Sequence, residues 1–206
     1  MVSKVDFAAE AQNAVQDAAA APAPLPPFAH CRAAAALERS GWTRAVAGET
    51  DFHAAVDAFV ECARYPNKGL YVCGVCGCGK TALVRAIVRR TRRQTEFIAL
   101  DTDWEYLDVK VWPNFLAGLM VCNVVLDDLG AEPPFNDFGV RRELAGEFIV
   151  RYHRCGRGRL FVTTNLGGAL VDRYSPRVSS RLKDLCLNLH LTGPDKRAWT
   201  TKGGAA

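Results

Sequence analysis

No run of eighteen apolar residues occurs in the 206-residue chain, so no helical membrane span is expected. The N-terminus lacks the basic stretch and apolar block of a signal peptide: Lys4 is interleaved with Asp6, Glu10 and Asp17. No internal repeat is visible, and His30, His53, His153 and His190 are scattered without nucleophile-base spacing. Cysteine is not scarce, with eight residues, but the chain is too long for a disulfide-stapled mini-domain, and Cys73, Cys76 and Cys78 crowd one glycine-rich loop. A reducing cytoplasm is the expected compartment. Cys73-x-x-Cys76-x-Cys78 has metal-like spacing, but no second pair lies near it in sequence, so zinc is not expected. Exposure of Cys76 or Cys78 would instead make that loop sensitive to oxidation.

What is present is enough for one core: 49% of residues are apolar and 23% charged, which fits a single folded domain with some loose flank. The net charge of +4 hides an asymmetry, since residues 1–138 carry −4 and residues 139–206 carry +8. A basic C-terminal half suits a surface facing phosphates or an acidic partner, and equally a set of solvated helix faces. Residues 1–27 are rich in Ala and Pro and read as a tail or linker. Residues 28–50 follow as a helical N-terminal segment, with one helix expected over Phe28–Val46, and residues 198–206 form a C-terminal tail.

The body of the chain, residues 51–197, alternates helices and strands. Thr50 or Asp51 is expected to cap a helix that packs through Phe52, Val56, Phe59, Val60 and Ala63. The breakers Tyr65 to Gly69 precede a strand at 70–73, a glycine loop, a helix at 80–92 and a strand at 96–101. Further strands are expected at Val121–Asp127, Leu160–Thr164 and Leu187–Leu191, with helices over Phe138–Cys155 and Ser175–Leu185. This order predicts an α/β fold: a parallel five-stranded sheet flanked by helices.

Gly74-Val75-Cys76-Gly77-Cys78-Gly79-Lys80-Thr81 fits G-x-x-x-x-G-K-[ST]. Its backbone N–H groups and the following helix N-terminus would cradle the phosphates of ATP, with Lys80 on the β- and γ-phosphates and Thr81 on Mg²⁺. A chance match in a chain of this length is on the order of one per cent. Asp127 and Asp128 close an apolar strand. Asp127 is the expected partner of Mg²⁺, and Asp128 the group that orients or deprotonates the attacking water. Asn165 ends the Leu160–Thr164 strand, where it would meet the γ-phosphate or the water, or serve as a turn residue. Arg177, Arg181 and Arg197 lie in the basic half, where a guanidinium can stabilise transition-state charge. Arg85, Arg89, Arg90, Arg92 and Arg93 form a basic cluster that suits DNA phosphates or complements a helix C-terminus.

The glycine loop, Val-Leu-Asp-Asp-Leu-Gly-Ala-Glu132, Thr-Thr-Asn165-Leu and Arg177-Val-Ser-Ser-Arg181-Leu occur in one order, and over residues 50–197 the chain resembles the DnaC/IstB-type AAA+ ATPases. The resemblance implies a P-loop NTPase of the AAA+ ASCE type without a C-terminal lid domain. It makes Gly74 to Thr81 the Walker A loop, with Gly74, Cys76, Gly77, Cys78, Gly79, Lys80 and Thr81 holding nucleotide. Asp127 and Asp128 become Walker B, Asn165 sensor 1, Arg181 an arginine finger acting on a neighbouring subunit with Arg177 beside it, and Arg197 a sensor 2. Self-association is implied by that arginine. The implied role is loading a DnaB-like replicative helicase on single-stranded DNA, or helping a transposase on duplex DNA as IstB-like proteins do.

The chain departs from the family in three places. Asp128 stands where the family often has Glu, one methylene longer, which predicts slow turnover and keeps open an adaptor that binds ATP without hydrolysing it. About twenty residues separate Asp101 from the Walker B strand that starts at Val121, fewer than the family segment that meets single-stranded DNA. The N-terminal partner-binding module is reduced to about fifty Ala-rich residues. A P-loop small-molecule kinase would need a lid and an acceptor pocket, and the Thr-Thr-Asn strand and paired arginines speak against it.

Overall fold

The computed structural model describes Leu25 and residues 28–195. The readings placed on residues 1–24, 26–27 and 196–206, among them the two tails, Arg197 and the missing lid, lie outside the described residues. Helix α1 (Ala29–Arg39), the short α2 (Arg44–Ala47) and α3 (Glu49–Arg64) precede β1 (Gly69–Gly74). Then come α4 (Lys80–Val88), β2 (Thr95–Ala99), a 3₁₀ turn at Trp104–Leu107, α5 (Pro113–Leu119) and β3 (Asn123–Leu129). A hairpin of β4 (Phe135–Asp137) and β5 (Val140–Arg142) leads into α6 (Leu144–Cys155) and β6 (Leu160–Thr164). The chain continues through a 3₁₀ turn, α7 (Leu170–Tyr174), α8 (Pro176–Leu185) and β7 (Cys186–Leu191).

The five long strands form one all-parallel sheet in the order β2-β3-β6-β1-β7. Both faces are covered, so the middles of the inner strands β3 and β6 are apolar and successive side chains feed opposite layers. Val124, Leu126, Leu160 and Val162 pack with Phe148, Ile149 and Tyr152 of α6 and Leu182 of α8. Val125 and Phe161 point the other way, against Leu83, Val84 and Ile87 of α4 and Phe52 and Val56 of α3. Each fully buried side chain of this size contributes ~1.5–3 kcal/mol relative to exposure. No helix among the described residues is long and apolar enough to cross a membrane.

Several boundaries differ from the sequence expectation for local physical reasons. The helix expected over Phe28–Val46 breaks after Arg39, because Trp42 is drawn into the core at 2% exposure. Thr43 then starts a new turn by accepting the Val46 N–H at 3.3 Å. Residues Ala33, Leu37, Trp42 and Ala47 share their buried layer with α3, α4 and the sheet. Helix α3 begins at Glu49 behind Gly48, so neither Thr50 nor Asp51 caps it. The buried Asp51 carboxylate instead accepts Thr192 N–H and O–H at 3.0 and 3.1 Å and Gly193 N–H at 2.8 Å, pinning the exit of β7. Ala63 is exposed, and Ala55 and Cys62 take the buried positions of that helix.

Helix α4 stops at Val88, short of residue 92, and Arg85 lies over the Phe97 ring at 4.5 Å. Strand β2 ends at Ala99 instead of 101, and β3 starts two residues later than expected and runs on through Asp128 to Leu129. The helix expected from Phe138 begins only at Leu144, because Phe138 and Gly139 form the tip of a hairpin at φ +49° and +85°. Two positive φ values match the twist of a tight two-residue hairpin turn, and Phe138 is fully exposed there.

Candidate functional site

In a parallel sheet all strands point the same way, so loops leaving their C-terminal ends converge on one edge. At that edge β1 delivers residues 74–79, β3 delivers Asp127 and Asp128, and β6 delivers Asn165. Because β6 lies between β1 and β3, Asn165 stands between the glycine loop and the aspartate pair.

Gly77 has φ +74°, and a Cβ built on it would lie 1.8 Å from Oδ1 of Asp195. The left-handed backbone conformation favours glycine there, while the Asp195 carboxylate is the end of a flexible side chain that can move aside. Lys80 is 5% exposed. Its Nζ donates to the carbonyls of Gly74 and Val75 at 3.1 and 2.9 Å and to Asn165 Oδ1 at 2.7 Å, and it lies 4.0 Å from Cys78 Sγ. The ammonium is thus held by oxygen acceptors at the mouth of the loop. Cys78 is buried and Cys76 exposed. Cys73 is buried too, and that burial pushes its thiol up from the ordinary value.

Asp127, 8% exposed, is the hub of a second cluster. Its Oδ1 accepts Thr81 Oγ1 at 2.9 Å and Thr163 Oγ1 at 2.6 Å, and Thr163 Oγ1 in turn accepts the Asp128 N–H at 2.8 Å. The β3–β6 register slips between Leu126 and Leu129, and Asp128 has φ +57°. A bulge of this kind re-aims a side chain that strict alternation would have sent into a packed layer. Asp128 is accordingly partly exposed at the sheet edge. Thr164 Oγ1 donates to Leu129 O at 2.6 Å and accepts Leu166 N–H at 3.0 Å, which fixes the turn that presents Asn165.

Among the described residues no group of three or more His, Cys, Asp and Glu side chains gathers so that it could hold a metal ion. Thr81 and Asp127 offer two hard oxygen donors 2.9 Å apart. That donor set suits Mg²⁺, which is ordinarily held by one or two protein oxygens and completes its shell with phosphate and water.

The arginines are placed apart from this cluster. Arg177 and Arg181 lie on α8, and Arg181 makes an exposed ion pair with Asp184 at 3.5 Å. Arg177 lines an open cleft of about 620 Å³ between α6 and the α7–α8 elbow, together with Arg151 and Arg154. The five arginines near the end of α4 are all exposed; Arg85 stacks on Phe97, and Arg93 reaches the Arg157 carbonyl. His30, His53 and His153 pair with Asp57, Glu49 and Asp184.

Two participants have no role among the sequence expectations, although Glu132 closes the Asp-Asp-Leu-Gly-Ala-Glu motif. Trp42 donates its indole N–H to Gly79 O at 3.2 Å, joining the N-terminal helices to the loop. Glu132 is buried and hydrogen-bonded to Tyr174. No family model matches the chain, and no curated protein matches it.

Proposed function

We propose that the chain is a P-loop NTPase of the DnaC/IstB-like AAA+ type that binds Mg-ATP at residues 74–81. The observation that carries this reading is the convergence of Lys80, Thr81, Asp127, Asp128 and Asn165 on one sheet edge, with Thr81 and Asp127 in direct contact. A glycine loop running into a helix N-terminus favours polyphosphate binding, and the Thr81–Asp127 oxygens suit the accompanying Mg²⁺. The bound metal would supply charge neutralisation at the phosphates. Lys80 binds the β- and γ-phosphates, Asp128 orients the attacking water and accepts its proton, and Asn165 hydrogen-bonds the γ-phosphate or that water. Arg181, with Arg177 beside it, acts on the nucleotide of a neighbouring copy, so turnover requires self-association.

In this reading nucleotide state governs the grip on a replicative helicase during its loading on single-stranded DNA. The test is the molar mass, by light scattering, of the protein mixed with its host's replicative helicase in ATP and in ADP. A complex whose stability depends on nucleotide supports the loader role. No complex in either state removes it and leaves the transposition helper, tested next with duplex DNA and a transposase.

One observation favours a second reading, an adaptor that binds ATP without fast turnover. Asp128 is a short carboxylate at a left-handed position on the bulge, so its reach to a water is limited by side-chain length and fixed in direction by the backbone.

A further inference from the structure

The turn after Asp128 contains a buried polar network that the nucleotide site does not use. The Ala131 N–H bonds Asp128 O at 2.9 Å, and Glu132, 2% exposed, turns back so that its Oε2 accepts the Gly130 N–H at 2.9 Å. Its Oε1 accepts the hydroxyl of Tyr174, and its carbonyl accepts Arg173 Nη2 at 2.6 Å. Arg173 and Tyr174 are the last residues of α7, directly before the elbow at Ser175, φ +121°, from which α8 carries Arg177 and Arg181. On its other side the elbow is held by an ion pair. Arg173 Nη2 lies 3.1 Å from Glu143 Oε2, yet Arg173 Nε and Glu143 Oε2 are buried without a hydrogen bond. Gly130 also abuts the residue after Asn165, since a Cβ on it would lie 2.6 Å from Leu166 Cδ1.

A buried carboxylate with both oxygens engaged costs desolvation that an apolar side chain of the same size would avoid. Its bonds run from backbone two residues after the aspartate pair to the root of the arginine helix. We infer that Glu132 is a positioning residue that couples the Asp127–Asp128 bulge to the α7–α8 elbow, so that the nucleotide held at one edge of the sheet sets the placement of Arg177 and Arg181. The inference rests on the Mg-ATP reading of that edge. Burial raises the Glu132 carboxyl above the ordinary value, against the opposing effects of the Tyr174 hydrogen bond, the Gly130 N–H and Arg173. This is the signature of a group kept in a low-dielectric joint.

The experiment is amide hydrogen exchange on the full chain with and without Mg²⁺ and the slowly hydrolysed analogue ATPγS, for wild type, Glu132→Gln and Tyr174→Phe. Glutamine cannot accept both the Gly130 N–H and the Tyr174 O–H as the carboxylate does, and phenylalanine removes the hydroxyl while keeping the ring. In wild type the analogue slows exchange in the glycine loop and also in residues 170–185, the latter by about fivefold or more, the low end of typical coupling. In both variants the loop stays protected and the effect on residues 170–185 is lost. If the loop is protected but residues 170–185 never respond in wild type, or respond in both variants as they do in wild type, the coupling is overturned and the nucleotide site stands. If the loop itself is not protected in wild type, the Mg-ATP reading fails and the coupling fails with it. Should Glu132→Gln not fold, judged by its thermal midpoint, Tyr174→Phe alone decides.

Discussion

Lys80 Nζ and Asn165 Oδ1 lie 2.7 Å apart across 85 positions of sequence, joining the first residue of α4 to the residue that follows β6. Were the two residues independent surface groups, removing either would leave the other unaffected. As partners at the proposed phosphate site they have separable roles. Lys80→Ala is expected to weaken ATP binding by about 30- to 150-fold, equivalent to a lost charged contact of ~2–3 kcal/mol. Asn165→Ala is expected to preserve binding and lower turnover by ~10²-fold, the usual effect of removing one transition-state donor. Isothermal titration with ATP and steady-state phosphate release separate the two. Equal binding by wild type and Lys80→Ala would remove the site.

Arg181 is partly exposed, and its one ion pair, to Asp184, is exposed, so replacing it costs little stability. Arg181→Ala is expected to keep nucleotide affinity and to lower turnover by about 10³-fold, the lower range for a guanidinium acting in trans. The rate per subunit in wild type is expected to rise with protein concentration, and in the variant to stay flat. Equal rates in the two proteins at high concentration would sink the trans role.

Trp42 stacks near Phe52, at 6.3 Å between ring centroids, and bonds Gly79 O. Trp42→Ala is expected to cost ~3–5 kcal/mol through the cavity it leaves. Trp42→Phe, which loses the N–H but keeps an aromatic ring, is expected to cost ~1 kcal/mol plus a small packing loss. Urea unfolding midpoints measure both. A variant Trp42→Ala as stable as wild type would show that the N-terminal helices do not support the loop.

Glu132 gives the expected pH dependence. Burial holds its carboxyl above the ordinary glutamate range, so between the ordinary value and the raised one the native state holds a proton that the unfolded chain has released. Stability from this group is therefore present at low pH and declines as pH rises through that window. Glu132→Gln lacks the proton uptake. The thermal midpoint of wild type relative to the variant is expected to rise as pH falls from neutral towards the ordinary carboxylate range, and a constant difference would contradict the upward shift.

Much of the outline was legible because it is local. A glycine loop between an apolar strand and a helix start, Asp127 at the end of an apolar run, and the strand at Leu160–Thr164 are patterns a few residues long, and the structure has each of these elements. The misreadings were also local decisions, overruled by distant packing. Alanine-rich periodicity suggested one helix over Phe28–Val46, but burying Trp42 beside Phe52 and Gly79 was worth breaking it. Asp51 had the sequence of a cap and was taken instead by the backbone of Thr192 and Gly193, 141 and 142 positions away.

The sequence by itself determined the alternating elements, the apolar faces that bury the sheet and the conformational freedom of the loop at residues 74–79, because each depends on neighbours in the chain. Only the tertiary structure decided that β6 enters between β1 and β3, and with it that Asn165 meets Lys80 and Thr163 meets Asp127. It also decided that Glu132 is buried against Tyr174. Strand order is a competition among buried surfaces from the whole chain, and a carboxylate reads the same in sequence whether it ends in water or in a joint between two helices.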